Sequence, residues 1–259
     1  MKLRPVIRFI QNLFLSRHRN GHGVHSPFFF EIINTLSRNK SNKGLVYKAA
    51  EAWRTELLSE TRSIMVTDFG TGKDGRRPVR EIAAGSAVSR RLGRVLSYFA
   101  IRAGERPVIE LGTSLGVGTM YMALANRSCT IITVEGCDQI AEIAATGFKK
   151  AGIENVEIIT GNFDAVAGKI AEENRGPGLV FIDGNHRGSA LKRYFDLFAA
   201  CASEETVIIA DDIDFSADMS LAWSEIRQDS RVTGSLDMGR AGILFFRHGL
   251  NGQSYYIGY

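Results

Sequence analysis

The stretch VIELGTSLGVGTMYMALA, residues 108–125, decides the fold. An apolar run carries Glu110 near its end, turns through Gly112, Gly116 and Gly118, and continues into a segment of helical character. Strand, glycine-rich turn and helix in that order let backbone approach a nucleotide-like ligand. Glycine suits such a turn because a Cβ would block the ligand or forbid the dihedrals. The spacing is Gly112-x3-Gly116-x-Gly118 with an acid two residues ahead, which differs from the G-x-G-x-x-G of dinucleotide binding.

Downstream, strands and helices alternate. Short apolar runs at 108–111, 130–135, 156–160, 179–182 and 207–210 read as strands, with helices at 118–125, 138–151, 165–173 and 189–202 between or after them. Nearly continuous apolar strands separated by helices predict a parallel sheet covered on both faces. A helix at 220–228 and two strands at 232–236 and 242–247, joined by a hairpin over 237–241, follow. Upstream, residues 1–60 read as helical, 64–69 as a short strand, 70–78 as a basic glycine-rich loop with Lys73, Arg76 and Arg77, and 82–103 as one long helix. That loop reads either as a phosphate holder or pocket cap, or as an exposed turn. In HGVHSPFFF, residues 22–30, His22 and His25 read as structural or as lining a substrate mouth, since no third metal ligand sits nearby.

The chain has 259 residues and a net charge of +4. Residues 1–106 carry 20 Lys+Arg against 8 Asp+Glu, and the remainder carries 12 against 20. This asymmetry divides the chain into a basic, mainly helical extension over 1–80 and a core domain over 81–259. The basic part reads either as a docking surface for an anionic partner or as a solvated face packed on the acidic half. Within it, residues 1–20 have a basic amphipathic pattern that fits peripheral membrane contact or packing on the domain. No apolar run is long enough to span a bilayer, and no signal peptide is read. Three cysteines without metal-ligand spacing fit a reduced, cytoplasmic setting.

In an open α/β sheet the ligand sits beyond the carboxyl ends of the strands. Each expected strand carries a polar group at that end: Glu110, then Glu135 followed by Gly136, then Asn162 after Gly161, then Asp183, then Asp211-Asp212. Three carboxylates, Asp183, Asp211 and Asp212, would raise one another's pKa if they converged uncompensated. Oxygen-only ligands favour a hard divalent ion, so these three are candidate ligands for Mg²⁺ or a similar ion; the other reading is that only Asp183 reaches the site and Asp211 and Asp212 cap the following segment. A metal-bound hydroxyl loses its proton more easily.

Together these residues resemble the class I S-adenosylmethionine (SAM) dependent methyltransferases over roughly residues 80–247. Within that group they look most like metal-dependent O-methyltransferases, of the catechol type and the sugar-modifying type. The resemblance implies a Rossmann-like α/β fold with a seven-stranded, mostly parallel sheet closed by an antiparallel hairpin, preceded by the helical extension. It implies SAM held by Glu110, Gly112, Thr113, Ser114, Gly116, Glu135, Gly136, Asn162, Phe163 and Asp183. Glu135 would accept from a ribose diol, or else cap the next helix. Asn162 and Phe163 would meet the adenine, Phe163 reading equally as a core residue, and Glu110 would steer the methionine end directly or through water. The catechol-type pattern carries Asp-Asn after the fifth strand, where this chain has Asp211-Asp212, closer to the sugar-modifying enzymes. It also carries a lysine three positions after the fourth-strand Asp. Here that position is His186, read either as general base beside Asp183 or as a surface residue at a helix start. The sugar-modifying pattern has an Asp where this chain has Asn185. HGVHSPFFF is similar to a segment found in a group of bacterial methyltransferases.

The expectation is methyl transfer to an oxygen of a small molecule or glycoside, with Mg²⁺ assistance. The alternatives are a metal-independent RNA or protein methyltransferase recruited by the basic region, and a non-catalytic SAM-binding or membrane-associated adaptor. A dehydrogenase is opposed by the glycine spacing. The partner expected is a small-molecule acceptor. Nucleic acid is not favoured, and a homodimer is left open.

Overall fold

Val108–Leu111, Leu179–Ile182 and Val207–Ala210 are apolar at nearly every position because both their faces are covered. Alternate residues divide between two cores. Val108, Leu179, Phe181 and Ile209 face one; Ile109, Leu111, Val180, Ile182 and Ile208 face the other. The structure, a computed structural model, describes residues 22–38, 45–67 and 74–257. The amphipathic pattern of residues 1–20, the membrane contact expected of it, and Lys73 in the basic loop lie outside them.

Ahead of the sheet come α1 (Pro27–Arg38), α2 (Leu45–Ser59), the antiparallel pair β1 (Ser63–Val66) and β2 (Gly75–Pro78), α3 (Val79–Ser86) and α4 (Arg90–Ala103). The alternating part runs β3 (Val108–Leu111), α5 (Val117–Ala125), β4 (Ile131–Glu135), α6 (Asp138–Lys150), β5 (Val156–Thr160), α7 (Phe163–Glu173), β6 (Leu179–Ile182), α8 (Gly188–Ala200) and β7 (Val207–Ala210). It ends with α9 (Ala217–Ile226), β8 (Gly234–Asp237), β9 (Gly242–Phe245) and β10 (Gln253–Tyr256). The large sheet is ordered β10-β8-β9-β7-β6-β3-β4-β5. β3 to β7 are parallel and β9 runs antiparallel between β7 and β8.

Two features differ from the sequence expectation. The sheet has eight strands, because β10 adds a parallel edge to β8 beyond the seven expected. Residues 82–103 form two helices rather than one. Ala87 is extended (φ −72°, ψ 127°), and the Ser89 side chain caps α4 by accepting from Leu92 N at 3.1 Å.

The basic, early part of the chain is built into the same core. Phe29 is fully buried, edge-on to Phe245 at 5.4 Å and tilted against Tyr255 at 4.9 Å, while Phe30 is exposed. Trp53 of α2 donates its indole N–H to Leu115 O at 2.8 Å. His22 and His25 are exposed. Arg54 pairs with Glu51 inside residues 1–80, while Arg90 and Arg102 beyond them pair back to Glu51 and Glu31. The Lys150–Glu56 ion pair crosses to the core domain with the opposite polarity to a basic face docked on an acidic half.

Candidate active site

The register of the parallel strands brings their carboxyl ends to one edge of the sheet. A cleft of about 360 Å³ lies there, lined by the glycine turn, Glu135, Asn162, Phe163, Asp183 and Asn185, with Val66, Arg77 and Ser86 from the early part of the chain. Gly112 (φ +114°) and Gly116 (φ +81°) take left-handed backbone, and Ser114 joins them at φ +47°. At Gly112 a Cβ would stand 2.5 Å from the Asp183 carbonyl oxygen, so the β3 and β6 tips approach this closely only with glycine there.

Glu135 ends β4, and each of its carboxylate oxygens accepts a backbone N–H. Ser114 N donates to Oε2 at 2.8 Å and Cys137 N to Oε1 at 3.0 Å. It thus ties the glycine turn to the entrance of α6. Gly136 lines the cleft beside it. Ser114 Oγ lies 2.6 Å from Ser86 Oγ, which fastens the turn to α3. Thr113 is buried with its Oγ1 2.6 Å from Thr133 Oγ1.

Glu110 lies beneath the turn and is 1% exposed. Its Oε2 accepts from Thr119 at 2.5 Å and Thr133 at 2.6 Å. Burial pushes its pKa up to about 7 against the pull of those two donors. It also borders a slot of about 10 Å³ shared with Gly112, Ser86 and Asp183, room for roughly one water.

Asn162 caps α7, its Oδ1 accepting from Asp164 N at 2.9 Å. Phe163 follows, half-buried, with its ring against Gly184 and edge-on to Tyr194 at 6.3 Å. Asn185 adopts φ +56° and its Oδ1 is buried with no hydrogen-bond partner among the described residues.

The acidic cluster differs from a metal centre. Asp183 lines the cleft, its carboxyl pushed well up by burial and by Asp211 and Asp212. Burial likewise raises Asp211, outweighing the guanidinium of Arg240 beside it. Arg240 Nη2 meets Asp211 Oδ2 at 2.9 Å, and its Nε lies 3.2 Å from Asp211 Oδ1 and 2.8 Å from Asp212 Oδ1. The remaining oxygen, Asp212 Oδ2, faces His186 Nδ1 at 3.6 Å. Among the described residues no three His, Cys, Asp or Glu side chains are placed to hold a metal ion. In this geometry the positive charge beside Asp211 and Asp212 is the guanidinium of Arg240, at the strand tips where Asp183, Asp211 and Asp212 were expected to hold Mg²⁺. His186 also stacks on exposed Phe215, ring centroids 5.3 Å apart.

Sequence reasoning brought out the strand-tip acids and missed Arg240, Ser86 and Tyr194. The hairpin expected over 237–241 contained Arg240, but only the strand register sets it against the acids. The antiparallel register pairs Ala210 with Gly242, so the residues beyond them, Asp211 and Asp212, meet the hairpin tip.

Residues 109–213 match the family model described as a methyltransferase domain. A catechol O-methyltransferase of Niastella koreensis is 29% identical over 130 residues, covering 49% of this chain and 58% of the relative. The chain spans little more than half the length of the first curated relatives it matches. An O-methyltransferase from Bacillus cereus, solved with S-adenosylhomocysteine (SAH), has a TM-score of 0.58 at 18% identity, covering 83% of this chain and 97% of that one. The SAH-bound Podospora anserina methyltransferase PaMTH1 has a TM-score of 0.57 at 13% identity, covering 86% and 97%. At these identities the solved structures show the fold alone. Among the described residues no helix is long and apolar enough to cross a membrane.

Proposed function

We propose that this chain, whose residues 109–213 carry a methyltransferase domain on the class I methyltransferase fold, is a SAM-dependent O-methyltransferase acting on a small-molecule hydroxyl. The observation that carries the reading is the cleft at the strand tips, where Glu135 braces a left-handed glycine turn opposite Asp183, with His186 and Asp212 facing each other just outside its lining.

The residues present fit SAM. The cleft offers acid, amide and aromatic side chains, and the buried Asn185 Oδ1 lacks a donor that an adenine amino group would supply. When bound, SAM supplies a methyl group made electrophilic by the sulfonium. Glu135, oriented by the two backbone N–H groups that it accepts, presents its carboxylate to the ribose hydroxyls. Phe163 offers a face to the adenine, and Asn162 keeps its amide donors free of the cap it makes. Glu110, sealed below the turn, acts on the methionine end through the one-water slot.

At the acceptor end, His186 takes the hydroxyl proton as the acceptor oxygen forms its bond to the methyl carbon. SAM would supply that methyl group and keep the electron pair of the broken carbon–sulfur bond on sulfur as SAH, while His186 would hold the proton as an imidazolium beside the methyl ether. Asp212 orients the ring through Nδ1 and stabilises the imidazolium. Positioning supplies much of the acceleration. On this reading no step calls on a metal, and both oxygens of Asp211 and one of Asp212 face the Arg240 guanidinium.

Isothermal titration with SAM and SAH tests the reading, followed by a screen of catechol and glycoside hydroxyls for SAH release. SAH binding that weakens at least about tenfold in Glu135→Ala, together with turnover on a hydroxyl acceptor, supports it. Failure of the wild-type protein to bind SAM or SAH overturns it.

A further inference from the structure

We infer that Arg240 is the resident cation of the acidic strand tips Asp211 and Asp212, beside the cleft, holding the place that they would otherwise leave to a divalent metal. The inference rests on the reading of this cleft as a methyl-transfer site, and it assigns that transfer to the metal-independent kind.

The argument is one of occupancy. A hard divalent ion needs carboxylate oxygens with free lone pairs converging on one point. Both oxygens of Asp211 and one of Asp212 already face Arg240 nitrogens at 2.8–3.2 Å. The fork of a guanidinium matches two oxygens of one carboxylate, and such charge-assisted pairs are stronger than neutral hydrogen bonds. The Asp211 side chain is 0% exposed whereas that of Arg240 is 58% exposed, so the guanidinium covers the buried acid from the solvent side. A buried carboxylate left unpaired is costly, so a metal would have to displace a partner that the fold supplies.

Arg240 is also fixed by backbone. Ile213 N donates to Arg240 O at 3.0 Å, and Met238 N closes the hairpin on Ala241 O at 2.9 Å. The first continues the β7–β9 pairing past Ala210 and Gly242, and the second closes the β8–β9 hairpin. Arg240 therefore stands opposite the acidic pair by sheet geometry, not by the chance of a long surface side chain. Acting through Asp212, which faces His186, it is a positioning residue: it holds the Asp212 carboxylate with one oxygen toward the imidazole.

The test is Mn²⁺ binding to the full chain, read from the amplitude of the free-ion electron paramagnetic resonance signal, with SAH titration as the check of folding and of the cofactor reading. The wild-type protein is expected to leave Mn²⁺ free. Arg240→Gln, which removes the charge, is expected to take up Mn²⁺ at least about tenfold more tightly than wild type, and Arg240→Lys to leave it free. Uptake by the wild-type protein that is lost in Asp211→Asn overturns the proposal. So does a folded, SAH-binding Arg240→Gln that leaves the ion free. Should Arg240→Gln fail to fold, wild-type turnover decides. SAH release on an acceptor from the screen is expected to change less than about twofold on EDTA treatment, and a loss of more than about tenfold that Mg²⁺ restores overturns the proposal. A protein that binds no SAH in any form instead defeats the cofactor reading, so the two failures are distinguishable.

Discussion

The indole N–H of Trp53 lies 2.8 Å from the carbonyl oxygen of Leu115, so a helix from the early, basic part of the chain holds the glycine turn of the cleft from behind. The same ring lies 2.5 Å from where a Cβ on Gly147 would stand, which wedges α2 tightly between the turn and α6. Trp53→Phe leaves the Leu115 carbonyl without its donor. A loss of roughly 1–3 kcal/mol is expected, read by urea unfolding, together with weaker SAH binding because the turn loses a support. Unchanged SAH affinity at reduced stability would show that the turn holds its shape without α2.

Glu110 sets a pH dependence of stability. Burial raises its pKa from 4.5 to about 7. Between those values the folded protein binds more protons than the unfolded chain, so stability falls as pH rises. The contribution is whole below about 4.5 and lost through about 7, with a bound of roughly 3 kcal/mol. Glu110→Gln keeps an acceptor for Thr119 and Thr133 and does not titrate. Its stability relative to wild type is expected to rise between about pH 5 and pH 8. A difference that stays constant across that range would place the carboxylate in a better-solvated state.

The sheet was legible because β3, β5, β6 and β7 are short apolar runs ended by a turn or an acid, and their boundaries follow directly from that pattern. The Glu110, Glu135, Asp183 and Asp211 positions were legible for the same reason. Three features were not. The break between α3 and α4 depends on Ser89 acting as a cap, in a stretch whose periodicity runs through without interruption. β2 reads GRRP, with no apolar alternation to mark a strand, and forms only by pairing with β1. Arg240 lies 28 residues beyond Asp212 in the sequence, and only the β7–β9 register brings it opposite. A carboxylate cluster can be read from a sequence; the cation that neutralises it cannot until the register is known.

Gly184→Ala isolates the role of Phe163. The new Cβ would stand 2.2 Å from Phe163 Cε2 and 3.0 Å from its Cζ, so the ring must swing away. Gly184 does not occupy left-handed backbone, so the substitution carries no dihedral strain of its own. A stability loss of roughly 1–3 kcal/mol is expected from the overpacking. SAH affinity is expected to fall at least about tenfold if the ring stacks on adenine. Fluorescence-monitored unfolding and titration measure the two effects separately. A destabilised variant with wild-type SAH affinity would assign Phe163 to the core alone.

On the proposed reading His186 and Asp212 are separable from cofactor binding, because they lie 3.6 Å apart outside the cleft lining, with the imidazole ring tilted against Phe215. His186→Gln keeps hydrogen-bonding capacity and removes the base. Turnover is expected to fall by about 10²–10⁴, with SAH affinity within about twofold of wild type. Asp212→Asn preserves the left-handed backbone at φ +52°, a conformation that Asn tolerates as readily as Asp. It removes the charge that holds the imidazole and faces Arg240, so an intermediate loss in kcat of about tenfold is expected, with KM for the acceptor little changed. The double variant is expected to be no worse than His186→Gln, since Asp212 acts through the imidazole. A double variant whose losses multiply would mean that Asp212 acts on the acceptor independently of His186.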